Sequence, residues 1–225
     1  MLESYPKIQE TIQNACSRAR RDPAGVRLLA VTKTVPLAQI QEAVASGIQW
    51  FGESRIQEAE KKIHQVGPAH WHLIGPLQSN KINKALELFE MIESLDRLEL
   101  ADALQKRAAV LGKTVRCLME INIGGEAGKH GFAPDEVEAL TPQLKQYPNL
   151  EVRGLMTVAP YADDPEQARP FFRRMKELFE GLKHFQSERF SMETLSMGMS
   201  HDYAVAVEEG STEVRIGSAL FGVRA

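Results

Sequence analysis

Short apolar runs alternate along the chain with longer segments in which apolar residues recur every three or four positions. The short runs are typical of strands in a buried parallel sheet, and the longer segments are typical of amphipathic helices. We predict eight strands, over residues 26–32, 48–52, 70–74, 91–95, 115–123, 152–158, 194–197 and 214–216. Because strands and helices alternate, we expect a parallel sheet that is covered by helices.

The helical segments each collect apolar residues on one face. These residues are Ile8, Ile12, Ala15 and Ala19; Leu37, Ile40 and Val44; Leu98, Ala101, Leu104, Ala108 and Leu111; Val137, Leu140 and Leu144; and Ala168, Phe171, Met175, Leu178 and Leu182. A further helix is predicted over 203–209, and Asp164 and Pro165 begin the helix before it as N-cap and first helical residue. Eight units favour a closed (β/α)8 TIM barrel with an extra N-terminal helix. An open dinucleotide-binding sheet is less favoured, because no Gly-x-Gly-x-x-Gly follows the first strand.

The composition is that of a globular protein and argues against several other classes. The chain has 225 residues, 43% hydrophobic and 25% charged, which fits a single domain over residues 1–225. A net charge of −3 gives no field that gathers nucleic acid or an anionic membrane. Cys16 and Cys117 form no disulfide or metal motif, and no apolar segment suits a signal peptide or a membrane span. We therefore expect a cytoplasmic protein without a nucleic-acid or membrane partner.

Lys33 directly follows the apolar run of the first predicted strand. In a closed barrel the C-terminal ends of the strands form the active face. A lysine ringed by strand ends is expected to lose its proton more readily, because burial disfavours the charged form. Lys33 is then a candidate nucleophile toward an aldehyde. From this segment alone, a surface lysine that only ends a strand is the alternative.

Glycine-containing loops follow the seventh and eighth predicted strands, at Gly198 and Gly217. Barrels often bind phosphate with the loops at these two positions, where glycine lets backbone N–H groups approach closely. Arg215, on the eighth strand, is expected near Lys33 because the first and last strands of a barrel are neighbours. For either loop alone, a tight turn without a ligand is the alternative.

Two other motifs point less specifically to chemistry. The segment from Gly124 to His130 is superficially similar to a nucleotide-binding loop, but the Walker spacing would require glycine at Ile123 and Ser or Thr at His130. His70 and His72 face the same side of a strand, as metal ligands sometimes do, yet no third ligand has a useful spacing. We therefore predict no metal site and a packed or hydrogen-bonded role for both histidines.

Six segments, in this order, resemble the pyridoxal-phosphate homeostasis proteins (the YggS or PROSC family), whose fold is similar to the barrel domain of alanine racemase. The segments are Leu29-Ala30-Val31-Thr32-Lys33-Thr34, Phe51-Gly52-Glu53, His72-Leu73-Ile74-Gly75-Pro76-Leu77-Gln78-Ser79-Asn80-Lys81, Gly154-Leu155-Met156-Thr157, Leu195-Ser196-Met197-Gly198-Met199-Ser200 and Val214-Arg215-Ile216-Gly217. Because they extend nearly from end to end, the resemblance is specific.

The resemblance implies that the cofactor is pyridoxal 5'-phosphate and that Lys33 forms the Schiff base with it. It implies that Ser200, Gly217 and Ser218 hold the phosphate with nearby backbone N–H groups, and that Arg215 meets the pyridine nitrogen. An arginine there keeps that nitrogen unprotonated, which weakens the cofactor as an electron sink. The residues implied to line the ring are Met197, Gly198 and Met199.

Two residues depart from the family pattern. Ser54 stands where the family usually has asparagine, and its side chain is shorter and lacks the amide. We expect water to replace a direct contact between this position and the phenolic oxygen of the cofactor. Ser218 stands where threonine is common and keeps the hydroxyl. The cofactor prediction does not depend on Ser54.

The resemblance implies a carrier that buffers or delivers the cofactor and influences amino-acid and keto-acid balance, without substantial turnover. Because the chain ends at Ala225, without the β domain of the racemases, we expect one face of the cofactor to be open to water. The expected partners are pyridoxal phosphate and recipient enzymes that lack it. We expect a monomer, although the N-terminal helix could also pack on another chain. A small amino-acid racemase, and a barrel hydrolase or aldolase that uses Lys33 without this cofactor, are the alternative functions.

Overall fold

The computed structural model describes residues 2–222, in which eight parallel strands form a closed barrel in chain order. The strands are β1 (Arg27–Val31), β2 (Trp50–Glu53), β3 (His70–Leu73), β4 (Met91–Leu95), β5 (Val115–Glu120), β6 (Leu150–Met156), β7 (Phe190–Met199) and β8 (Glu213–Ile216). The last strand pairs with the first, so that Ala30 lies beside Ile216. The predicted TIM barrel is therefore confirmed. The predicted domain over 1–225 also includes residues 1 and 223–225, which lie outside the described residues.

Helices follow the strands and cover the barrel. Within residues 2–222 they are α1 (Ser4–Arg18), α2 (Leu37–Ala45), α3 (Ile56–Val66), α4 (Ile82–Leu88), α5 (Leu98–Leu111), α6 (Val137–Leu144), α7 (Arg169–Gly181), α8 (Tyr203–Glu208) and α9 (Ser218–Phe221). The predicted extra helix is α1, which packs on α8 and α9 of its own barrel. The hydroxyl of Ser4 donates to the carbonyl oxygen of Leu220 at 2.6 Å. None of these helices is long and apolar enough to cross a membrane.

Three helices, α3, α4 and α9, are absent from the sequence prediction. In α3 the apolar stripe of Ile56, Ala59 and Val66 is interrupted by Lys62, which is also buried. A lysine in an inward position hides the helical period, because long charged residues normally mark the solvated face. Helix α4 has only seven residues, too few for the period to repeat clearly.

Most predicted strands differ from the observed ones by one or two residues at an end, and the largest differences are in β5 and β7. Strand β5 ends at Glu120, although residues 121–123 continue the apolar run. Ile121 and Ile123 are buried. Among residues 121–123, however, only Ile121 forms a β-bridge, which joins it to Phe132. Strand β7 begins at Phe190, earlier than predicted, since polar residues such as Glu193 mask its first half. Buried side chains therefore continue past the end of β5, and the paired part of β7 begins before its apolar residues.

The barrel has a large apolar layer outside the strands and a largely polar interior. Phe51, Phe172 and Phe190 are fully buried in the outer core. A separate small cluster inside the barrel consists of Met91, Leu118 and Met156. The buried charged residues His72, Glu93, Glu213 and Arg215 are all joined by hydrogen bonds or ion pairs in one network. Charges removed from water are costly unless they are paired, so this interior depends on its partners.

Asp164 caps the turn that leads into α7. Its carboxylate accepts a hydrogen bond from the backbone N–H of Glu166 at 3.0 Å, and Pro165 begins the 3-10 turn that runs directly into Arg169. The predicted capping pair is confirmed, with a 3-10 turn between the cap and the α-helix.

We expect Asp164→Ala to lower the free energy of unfolding by about 1 kcal/mol, because the Glu166 N–H loses its acceptor. Urea unfolding followed by circular dichroism measures this change. Asp163→Ala is the matched control, since it removes the same charge from an exposed neighbour that accepts no capping bond. Equal losses in the two variants would show that charge, rather than capping, is responsible.

Candidate functional site

Lys33 lies in a turn at the C-terminal end of β1, at the mouth of the barrel. Its side chain is exposed, which differs from the expected burial among strand ends. The strand reaches its end at Val31, and only Thr32 stays buried before the chain turns outward. Lys33 is therefore accessible to a ligand that enters from the solvent.

A buried ion pair anchors the residue before Lys33. The ammonium group of Lys62 donates to the carbonyl oxygen of Thr32 at 2.7 Å and to a carboxylate oxygen of Glu53 at 2.8 Å. The Thr32 hydroxyl donates to the same carboxylate oxygen, also at 2.8 Å. Burial raises the pKa of Glu53, while its bonds with Lys62 and Thr32 oppose that rise. The end of β1 is thus held by a charged group from α3.

The residue after Lys33 is anchored by the same helix. Thr34 adopts a left-handed backbone conformation, with φ of 60°, which is uncommon for a β-branched residue. Its backbone N–H donates to the Glu58 carboxylate, which also accepts a bond of 2.6 Å from Lys62. Burial would raise the pKa of Glu58, but the bonds from Lys62 and Thr34 lower it. Helix α3 therefore fixes the turn that carries Lys33 on both sides.

The loops after β7 and β8 meet at Ser200. The Ser200 hydroxyl oxygen accepts hydrogen bonds from the backbone N–H groups of Gly217 and Ala219, each at 3.1 Å. Two donors that converge on one oxygen form an arrangement that suits an oxygen of a phosphate. Ser218 lies between them and is exposed. The structure brings together the three residues predicted to hold the phosphate.

The Gly198 segment packs tightly against α8. Gly198 has φ of 92°, and a Cβ atom there would lie 2.5 Å from the Cβ of Ala206. Met197 is fully buried in the layer between strands and helices, so its side chain does not line the barrel mouth. This corrects the expectation that Met197 lines the cofactor ring, since the inward position of β7 belongs to its neighbour Ser196. Met199 is 38% exposed at the end of the strand.

Arg215 points into the barrel and is held on two sides. It is 4% exposed, and it donates to the hydroxyl of Ser196 and to the carbonyl oxygen of Thr157, each at 2.6 Å. The Ser196 hydroxyl in turn donates to Glu93 at 2.7 Å. The predicted proximity of β8 to β1 is confirmed, because Arg215 lies beside Leu29 in the sheet. A rigid cation therefore lies beneath the mouth, on a strand next to that of Lys33.

A cluster of titratable side chains continues from Arg215 toward the other end of the barrel, and the sequence prediction missed most of it. His72 Nδ1 lies 2.7 Å from Glu93, and Glu213 is fully buried beside them, with an oxygen 3.0 Å from the Nε of Arg27. Burial alone would raise the pKa of Glu93, but its bond with His72 lowers it to about 2. Burial and the nearby Glu93 raise the pKa of Glu213 to about 8. The pKa of Glu213 is therefore shifted toward the protonated form, opposite in direction to that of Glu93.

The predicted hydrogen-bonded role of the two histidines is confirmed, since His70 pairs with Glu90 at 2.8 Å. His72 also has the potential metal-ligand neighbours that the sequence did not reveal. Ligand atoms of His72, Glu93 and Glu213 all lie within 4.8 Å of one another. His72 is hydrogen-bonded to Glu93, and a Glu213 oxygen lies 3.0 Å from the Nε of Arg27, so the three side chains belong to an internal polar network.

Stability is expected to depend on pH through Glu213. With its pKa raised to about 8, Glu213 keeps its proton to higher pH in the folded chain than in the unfolded chain, where the proton is released near the ordinary value of 4.5. The free energy of unfolding should therefore fall as pH rises between these values. Glu213→Gln, which stays neutral, should reduce the decline between pH 6 and pH 8 by about 1 kcal/mol per pH unit.

Urea unfolding of the wild type and Glu213→Gln at several pH values measures this slope. Glu188→Gln is the control, because Glu188 is exposed. A slope that is the same in all three proteins would contradict a proton held by Glu213.

Ser54 follows β2 and borders a cavity of about 710 Å³. A Cβ atom on Gly75 would lie 2.4 Å from the Ser54 carbonyl oxygen, so the segments after β2 and β3 are in close contact. Ser54 is half-buried, on the strand next to that of Lys33. The structure thus places it at the same mouth, after the strand that lies on the other side of β1 from β8.

Comparisons with known proteins agree with this arrangement. A family model described as alanine racemase, N-terminal domain, matches residues 4–225. A pyridoxal phosphate homeostasis protein of Aquifex aeolicus is 42% identical over 224 residues, which cover 99% of this chain and 97% of the relative. A protein of the same name from Pseudomonas aeruginosa is 43% identical over 227 residues, which cover 100% and 96%. The structure of PipY from Synechococcus elongatus PCC7942 with PLP bound has a TM-score of 0.80 at 36% identity, and the match covers 94% of this chain and 100% of that one.

Proposed function

Because this chain belongs to the pyridoxal phosphate homeostasis proteins, within the alanine racemase N-terminal domain family, we propose that it binds pyridoxal 5'-phosphate and takes part in the intracellular homeostasis of this cofactor. The observation that carries the proposal is the meeting of three features at one mouth. These features are an exposed amine on Lys33, two backbone donors that share the Ser200 oxygen, and the buried guanidinium of Arg215. Each matches one part of the cofactor.

The chain's own residues would hold the cofactor at three points. The backbone N–H groups of Gly217 and Ala219, with the hydroxyls of Ser200 and Ser218, would bind the phosphate in place of the bonds that Ser200 now accepts. Arg215 would face the ring nitrogen and, as a permanent cation, keep it unprotonated. The bound group supplies an aldehyde carbon, toward which Lys33 would present its amine.

The carrier role is favoured over turnover by the fixed position of Arg215. Its bonds to Ser196 and Thr157 hold the cation in place, so the pyridine nitrogen would stay a poor electron sink. We propose that the protein buffers or delivers the cofactor without substantial catalysis. A racemase would need a second acid–base group, and Glu120 is the best candidate, since burial, with a smaller effect of Asp96, raises its pKa to about 7.

We further propose that the chain acts as a monomer in the cytoplasm and passes the cofactor to enzymes that lack it. The packing of α1 on its own barrel supports the monomer, because that apolar face is already covered. Two free, buried cysteines, Cys16 and Cys117, fit a reducing compartment. The recipients would take the cofactor from the exposed mouth.

A transfer assay tests this function. The cofactor-loaded protein is mixed with an enzyme stripped of pyridoxal phosphate, and the recovered activity of that enzyme is followed with time. We expect recovery at the expense of the visible absorbance of the carrier, and no racemisation of amino acids by the carrier alone. Sustained racemisation by the wild type that is lost in Glu120→Gln would show that the protein is a racemase rather than a carrier.

A further inference from the structure

The cavity that Ser54 borders lies on the half of the barrel mouth away from the two phosphate loops. Its walls come from the segments after β2, β3 and β4, and it has a volume of about 710 Å³. Arg55, Lys81 and Arg97 line it, and each directly precedes one of the helices α3, α4 and α5. Three positively charged side chains from three separate segments thus surround one cavity.

One of these cations is held in place by a buried carboxylate. Asp96 is 7% exposed, and one of its oxygens accepts a bond from Arg97 Nη1 at 2.5 Å. Its other oxygen lies 2.9 Å from His130 Nδ1, and Arg97 Nη2 also donates to the Leu77 carbonyl oxygen at 3.4 Å. Because Asp96 fixes Arg97 and His130, part of the cavity wall is preorganised.

The other two cations have no such partner. Among residues 2–222, Arg55 and Lys81 form no salt bridge within 4.0 Å, because the nearby carboxylates of Glu58 and Glu60 are paired with Lys62 and Lys84. Helices α3 and α5 also begin here without a side-chain cap, which leaves backbone N–H groups of their first turns available. The cavity is therefore positive, although the whole chain carries a net charge of −3.

We infer that this cavity binds a small organic anion with at least two negative charges, as in a dicarboxylate or a phosphate monoester. Arginine recognises both oxyanions through paired N–H donors, and two or more negative charges match three cations offset by a single aspartate. The concave shape and the negative charge of the whole chain favour a small molecule over a polyanion. The inference goes beyond the proposed function, because the site needs neither Lys33 nor the cofactor.

Isothermal titration of the full chain at low ionic strength tests the inference, with 2-oxoglutarate and glycerol 3-phosphate as probes and acetate as a monoanion. We expect a dissociation constant below about 1 mM for at least one dianion and weaker binding of acetate. Tighter binding of 2-oxoglutarate would indicate a dicarboxylate ligand, and tighter binding of glycerol 3-phosphate would indicate a phosphate monoester. Arg97→Gln and Lys81→Gln should each weaken binding at least about tenfold, because each removes a charge-assisted contact.

Lys106→Gln is the matched control, since it removes one positive charge from an exposed position on α5 that does not line the cavity. It should leave the dissociation constant unchanged. Binding that is equal in the wild type, Arg97→Gln and Lys81→Gln would place the anion elsewhere, for example in the loops at Gly217, and would overturn the inference. Absence of binding by either dianion would also overturn it. Labelling of Lys33 by the cofactor, measured in the same variants, tests the proposed function separately.

Discussion

Lys33→Ala is expected to abolish the visible absorbance that the wild type gains on incubation with pyridoxal phosphate. The proposed linkage needs a primary amine at the mouth, and Lys33 is an exposed amine on the strand next to that of Arg215. Without it, only the contacts to the phosphate and the ring are left. We therefore expect the affinity for the cofactor to fall by at least about a hundredfold, or about 3 kcal/mol. Absorbance titration and gel filtration of the mixture measure both effects.

Lys61→Ala is the matched control for this loss, because Lys61 is an exposed lysine on α3. It should bind the cofactor as the wild type does. Since Lys33 is exposed, its replacement should leave the urea unfolding curve nearly unchanged, which separates loss of binding from loss of fold. Retained absorbance in Lys33→Ala would assign the linkage to another amine.

Arg215→Met is expected to lower the free energy of unfolding by about 3–5 kcal/mol. The guanidinium is 4% exposed, and its removal leaves the Thr157 carbonyl oxygen without its donor and takes a stabilising cation away from the buried Glu93 carboxylate, which keeps only its bond with His72. An uncompensated buried charge is costly, whereas the methionine itself would pack without strain. Urea unfolding near pH 7 measures the change, provided that enough of the variant folds.

Arg116→Met provides the control for Arg215→Met. Arg116 is also on a strand, but its side chain is 63% exposed and lies 3.7 Å from Glu151, so the cost should stay below about 1 kcal/mol. Arg215→Lys supplies a second test, because it keeps the charge and loses the paired geometry. A loss for Arg215→Met as small as that for Arg116→Met would show that the interior network does not depend on this cation.

Much of the barrel could be predicted from the sequence because the alternation of a short apolar run with an amphipathic segment is repeated along the chain. Each predicted strand overlaps an observed one, and β4 has the predicted bounds of residues 91–95. The missed helix α3 shows how one residue with two roles can hide the pattern. Lys62 is an inward residue of α3 and a partner of Glu53, so the period of that helix was hidden. Periodicity detects helices that separate apolar from polar residues, and this one does not.

The residues at the mouth of the barrel were predicted better than the buried charged residues beneath them. Ser200, Gly217 and Arg215 meet as expected, because their positions follow from the ends of neighbouring strands. Glu93 and Glu213 were missed, although each is a charge inside an apolar strand and therefore a signal of an inward polar contact. Which strands such charges join depends on the register of the barrel, and a single sequence does not supply that register.

Borohydride reduction of the cofactor-loaded wild-type chain, followed by peptide mapping of the phosphopyridoxyl group, tests most directly whether Lys33 binds the cofactor. We expect a label on the peptide that contains Lys33, and no label on that peptide when reduction precedes the addition of cofactor. A label confined to other lysines, or no label after incubation with excess cofactor, would contradict the assignment of this mouth as the pyridoxal-phosphate site.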